Sequence, residues 1–176
     1  MSARRRQWRT AVIVFLAVLA VTLGWVSYLH VRSTPRWQPT APGEWANPLP
    51  EGGMPMRLAS LSTAPVLVTD RGDQPAPAGA VWVIAVVEYQ PPPTAHFCML
   101  VLLAQDGRRW NAVSPLDYSG RRPIPNGCTS PAGSGTPRGE QLYLIPEEAA
   151  GSLTGLAGVV TAYRGTEPYP VLTPAR

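Results

Sequence analysis

Few side chains in this 176-residue chain combine type and spacing in a way that does chemistry. The most reactive pair is Cys98 and Cys128, the only two cysteines. In an oxidising compartment the default for such a pair is a disulfide. It would pin the Pro- and Gly-rich stretch 114–138 to the segment carrying Cys98. Closing a loop of about 30 residues contributes on the order of 3–4 kcal/mol on the chain-entropy estimate. The spacing is far from Cys-x-x-Cys, and His30 and His96 are the only histidines. A redox motif and a zinc site therefore both lack their ligand pattern, and no metal or other cofactor is expected.

Catalysis is equally short of partners. His96, beside Pro91-Pro92-Pro93, is the only histidine beyond the N-terminal region. A nucleophile elbow needs Gly-x-Ser-x-Gly, whereas Gly133-Ser134-Gly135 follows Ala132. The adjacent carboxylates Glu147 and Glu148 follow Pro146, and a helix start accounts for all three. Arg71-Gly72-Asp73 spells the integrin-binding tripeptide, yet Asp and Gly are what a turn prefers. No phosphate-cradling glycine loop and no dinucleotide fingerprint is present. The chain reads as a non-enzyme.

Two constellations remain for recognition. Arg108, Arg109, Arg121 and Arg122 bracket Trp110, a cationic and aromatic set suited to an anionic envelope polymer, a small ligand or a protein partner. Asp106 and Asp117 lie close enough in sequence to make the same arginines a balanced, solvated hairpin. The second constellation is Ala17, Ala20, Gly24 and Ser27, spaced three, four and three apart. That spacing puts four small residues on one helix face, where close packing against another helix is favoured in lipid.

The helix that must carry them is Ala11–Leu29, a run of 19 residues without a charge. At about 1.5 Å per residue it spans roughly 28 Å, near the thickness of a bilayer's hydrocarbon core. It is too long for a signal-peptide h-region, and Ser27-Tyr28-Leu29-His30-Val31-Arg32 offers no small-x-small cleavage site. We expect an uncleaved signal anchor over 11–31 and a single pass. Arg4, Arg5, Arg6 and Arg9 precede the run, against Arg32 and Arg36 just after it. That asymmetry predicts a cytoplasmic tail, 1–10, and an extracytoplasmic C-terminal region in the cell envelope.

The net charge of +4 belongs to this signal. Residues 32–176 hold 11 arginines and all 11 acids, so that region is formally neutral and lacks the basic footprint of a nucleic-acid binder. The chain has no lysine at all. Its expected partners are the bilayer and a membrane protein or a second copy of itself.

Residues 32–56, STPRWQPTAPGEWANPLPEGGMP within them, are rich in Pro and Gly and predict an extended tether. From 57 to 176 short apolar runs alternate with turn residues, predicting strands at 57–61, 65–69, 80–89, 97–104, 108–113, 141–145, 158–163 and 169–172. Residues 80–89 and 97–104 are apolar on both faces and read as central strands. Asp106-Gly107 predicts a hairpin, and 146–150 one helical turn.

Some eight short strands in about 120 residues point to an antiparallel β-sandwich. The runs AVWVIAVVEY, FCMLVLLAQDGRRWNAV and LYLIPEEAAGSLTGLAGVV resemble the immunoglobulin-like, telokin-like extracytoplasmic domains of single-pass membrane proteins of Gram-positive, actinobacterial-type bacteria. The resemblance covers about two-thirds of the chain and lies in pattern, not in a specific motif. It implies an all-β, immunoglobulin-like domain and no particular activity.

Overall fold

A computed structural model describes residues 2–33, 36–48, 54–90, 100–114, 120–124, 128, 136–159 and 168–175. The chain divides into a helical unit and a strand-rich unit. In the first, helix α1 runs Ser2–Ser33, and its segment Gln7–His30 is long and apolar enough to cross a membrane. None of that apolar window is buried among the described residues. The helical backbone begins before the apolar run, so Arg4, Arg5, Arg6 and Arg9 all lie on α1.

The second unit contains β1 (Trp37–Pro39), β2 (Met56–Ala64), β3 (Val66–Thr69), β4 (Gly72–Pro75), β5 (Ala80–Tyr89), β6 (Leu100–Ala104), β7 (Arg109–Asn111), β8 (Arg138–Pro146), β9 (Leu153–Gly158) and β10 (Tyr169–Leu172). A short 3₁₀ helix, Glu147–Ser152, links β8 to β9. Five strands form one sheet in the order β1-β10-β9-β6-β7, three form another in the order β2-β5-β8, and β3 pairs with β4 in a hairpin.

The alternation along β5 explains how the two larger sheets meet. Val81, Val83, Ala85, Val87 and Tyr89 share one face. They bury against Leu100 and Leu102 of β6, Leu156 of β9 and Leu172 of β10 in a single core. The opposite face carries Trp82 and Ile84, which pack with Leu67 of β3 and with Leu142 and Leu144 of β8. Hydrogen bonds also lace the sheet edges. Val113 N–H donates to Leu142 O at 2.7 Å, and Ala175 N–H donates to Leu58 O at 3.2 Å. Inside the core the Tyr143 hydroxyl shares its proton between Leu100 O at 3.2 Å and Gln141 Oε1 at 2.8 Å. Full burial pushes the Tyr143 phenol well above its ordinary range.

Three segments depart from the sequence expectation. The expected tether joins the domain from Trp37 onward. β1 pairs in parallel with β10, Gly43 N–H donates to Thr173 O at 3.1 Å, and Ala46 bridges Met56. A proline-rich segment is already extended, and at an edge strand the missing N–H of Pro39 leaves no ladder bond unmade. The second departure is β4, whose Gly-Asp-Gln-Pro reads as turn; the hairpin turns instead on Asp70-Arg71.

The third is β9, which begins at Leu153, five residues before the expected strand. Of the expected strand 158–163, residues 160–163 lie outside the described residues. Gly155 hid β9, because it reads as a breaker. Its φ of +152° and the close approach of the Leu172 carbonyl both exclude a side chain there. Gly155→Ala should therefore destabilise the domain by about 2–4 kcal/mol. Thermal denaturation in neutral detergent checks this, and an unchanged midpoint would contradict the packing described.

Candidate functional site

The chemistry-bearing side chains gather where the apolar alternation of β5 ends. Glu88 follows Trp82, Ile84 and Val86 on the face turned away from the main core. Register sets it directly opposite Arg57 of β2 on one side and Arg138 of β8 on the other. Both arginines close on it. Arg57 Nε donates to Glu88 Oε2 at 2.6 Å, and Arg138 Nε and Nη2 donate to Oε1 at 2.9 and 2.7 Å. Glu88's side chain is 5% exposed, while those of Arg57 and Arg138 are 41% and 61% exposed. Trp45 lies against the Arg57 guanidinium, 5.0 Å from ring centroid to Cζ.

Burial alone would raise the Glu88 carboxyl. The hydrogen bonds from Arg138 and Arg57, with their positive charges, outweigh it and hold the group below its ordinary value of 4.5. Two residues along β8 from Arg138, on the same face, Glu140 is gripped by Arg122. Nε and Nη2 donate to its two oxygens at 2.8 and 2.9 Å. Arg122 Nη1 also reaches Val68 O at 2.6 Å, and both members of this pair are nearly buried.

The recognition set expected from the sequence is distributed over the domain. Arg108 meets Trp110, 5.5 Å from the ring centroid, and binds Asp106 Oδ2 through Nε at 2.6 Å. Glu148 lies 3.9 Å from Arg108 Nη1. The Arg108 backbone N–H, with its guanidinium, holds the Asp106 carboxyl below the usual carboxylate range. Arg109 is exposed on β7. Arg121 serves through its backbone, donating N–H to Asp70 Oδ1 at 2.6 Å. Arg122 belongs to Glu140, near the start of β8, whereas Glu148 lies beyond its end. Six residues of strand between Glu140 and Pro146 span about 20 Å. Arg108 with Trp110 is thus one local contact and Arg122 another.

Ala17, Ala20, Gly24 and Ser27 are exposed on α1. Cys128 packs against the main core and is not a free thiol, while Cys98 lies outside the described residues. His96 and Asp117 also lie outside them. Among the described residues no group of three His, Cys, Asp or Glu is placed to hold a metal ion.

Sequence reasoning passed over Arg57, Glu88, Arg138 and Glu140. The available signal was Glu88 itself, a lone acid in the run AVWVIAVVEY. A charge in a doubly buried strand needs a partner.

Because the folded pKa of Glu88 is depressed, its stabilising contribution is complete above the ordinary carboxylate range. It is lost as pH falls through the depressed value. Glu88→Gln should cost about 2–3 kcal/mol near neutral pH, less than a fully buried pair because both arginines reach water. The difference from the unaltered protein should shrink in acid. Urea unfolding across that range tests both points, and a pH-independent difference counts against the assignment.

No protein-family model, curated protein or solved structure matches this chain.

Proposed function

We propose that this chain is a membrane-anchored extracytoplasmic structural or interaction protein, an accessory component of a cell-envelope membrane complex. The observation that carries the reading is α1, whose apolar segment Gln7–His30 is long and apolar enough to cross a membrane. Apolar surface of that extent needs lipid or a partner helix. The arginine excess before the segment supports a cytoplasmic N-terminus and an exported domain.

The domain's side chains support a structural role. Glu88, Glu140 and Asp106 are each engaged by arginine, so the acids placed for chemistry serve the fold instead. We read the protein as a non-enzyme without a cofactor.

Connectivity supports the immunoglobulin-like reading. With β2, β5 and β8 as strands A, B and E, and β10, β9, β6 and β7 as G, F, C and C′, both sheet orders follow the immunoglobulin pattern. Two features depart from it. The β3–β4 hairpin is inserted between A and B, and β1 is an additional strand beside G. Strand D has no counterpart among the described residues.

In the exported domain Cys98 and Cys128 form a disulfide that ties the segment after β7 to the start of β6. Non-reducing mass spectrometry of protein purified from membranes should recover the Cys98–Cys128 cross-linked peptide. An alkylatable thiol at Cys98 would overturn the pairing.

The small-residue face of α1 is the contact surface within the membrane. A Cβ added at Gly24 meets nothing within 4 Å in the isolated chain, so Gly24→Leu leaves the folded domain intact and obstructs close helix approach. Crosslinking in native membranes should recover a stoichiometric membrane partner or a dimer, with a markedly lower yield for Gly24→Leu. A monomer carrying bound polysaccharide would sink this reading in favour of a polymer-binding module.

A further inference from the structure

We propose that the outer edge of β2 over Ser60–Ala64 is a self-association site, where a second copy of this chain pairs antiparallel, strand to strand. The inference rests on the three-stranded sheet and is independent of the membrane assignment.

β2 lies at one edge of the sheet β2-β5-β8, and its outer side changes character along its length. The first half is capped. Met56 exchanges both of its backbone hydrogen bonds with Ala46, and Leu58 O accepts from Ala175 N–H. A bulge follows between Leu58 and Ser60, after which β2 again pairs residue for residue with β5 up to Ala64. Along β5, Tyr89 N–H donates to Pro137 O on the β8 side. Residues of an antiparallel ladder alternate between the two sides. Val86, Ile84 and Trp82 therefore bond β2 through Ser60, Ser62 and Ala64. Leu61 and Thr63 turn their N–H and C=O groups outward, and no described residue caps them. Ser60, Ser62 and Thr63 are exposed, and Leu61 and Ala64 are half-buried.

An open backbone edge invites another strand, and folded domains guard it with charge, proline or a cover. The other edges here follow that rule. β1 carries Pro39, β4 carries Asp73 and Pro75, and β7 carries exposed Arg109. The outer side of β8 receives Val113 N–H at Leu142 O. Ser60-Leu61-Ser62-Thr63-Ala64 holds neither charge nor proline.

The occupant follows from the order of these residues, which complement their own reverse. A twofold axis through Ser62 sets Leu61 opposite Thr63 of the second copy, so every outward N–H meets an outward C=O. On one face half-buried Leu61 gains the Thr63 methyl group. On the other Ser62 meets its own copy and Ser60 meets Ala64, small side chains that bring no bulk or charge into the seam. A site for a charged foreign segment would carry the opposite charge, and this stretch carries none. Pairing joins two three-stranded sheets into one continuous sheet across an isologous interface.

The test uses the full chain in a non-ionic detergent. Light scattering over a concentration series should show a monomer–dimer equilibrium. Ser62→Cys should form an intermolecular disulfide under mild oxidation, whereas Asp73→Cys on the guarded β4 edge should not. Gly24→Leu, which acts on the helix, should leave the Ser62→Cys cross-link in place. Ser62→Lys and Ser62→Glu each set like charges against one another at the axis and should weaken dimerisation about fivefold or more. Mixing these two variants should restore it, because they meet with opposite charges, which a folding defect would not allow.

A monomer at every concentration overturns the site. So does a dimer that Ser62→Lys leaves unchanged, a mixture of the two charged variants that stays monomeric, or a Ser62→Cys cross-link made in native membranes only to a different protein.

Discussion

Strand β5 must be covered on both faces, and most of the domain follows from that constraint. One face, Val81 to Tyr89, needs a second sheet, and β6, β9 and β10 supply it. The other face, led by Trp82 and Ile84, needs a cover of its own, which the β3 residue Leu67 helps to supply. Trp82 fixes that cover in place by donating its indole N–H to Gln74 O of β4 at 3.2 Å. Burying a large aromatic with its one polar atom satisfied avoids the penalty of an unpaired donor. Where the apolar run gives way to Glu88, the same constraint becomes electrostatic. A carboxylate on a covered strand is tolerated only with its charge met and its oxygens hydrogen-bonded. Cross-strand register brings Arg57 and Arg138 to it from both sides.

The edges of this architecture are held by segments of low apolar content. β1 comes from a proline-rich stretch, yet it pairs with β10, and Trp37 meets Tyr169 edge-on with ring centroids 6.1 Å apart. Thr173 donates its hydroxyl to Thr40 O at 2.7 Å and strengthens the same seam. Both chain ends of the domain are thereby secured beside one another. Gly155 completes the seam from within, since only a glycine lets β9 and the Leu172 backbone come so close.

Functionally, the domain presents two kinds of arginine. Arg122 completes a nearly buried pair and belongs to the fold. Arg57 and Arg138 serve the fold by gripping Glu88 while their side chains stay 41% and 61% exposed. The helix contributes an apolar segment, Gln7–His30, long enough to cross a membrane.

The N-terminal helix was legible from the sequence because its signal is local: a charge-free run at helical length needs no distant residue to be read. The central strands at 80–89 and 97–104 and the Asp106-Gly107 hairpin were legible for the same reason, although β6 is described only from Leu100. The recruitment of 37–48 into the sheet, the position of β9 and the spread of the arginines were not. Each depends on a partner far along the chain: Tyr169 for Trp37, Leu172 for Gly155, Glu140 for Arg122. Composition marks a proline-rich segment as extended, a glycine as permissive and an arginine as charged. Only tertiary register decides whether extended chain becomes an edge strand, whether a permissive residue admits a neighbouring backbone, and which carboxylate a charge answers.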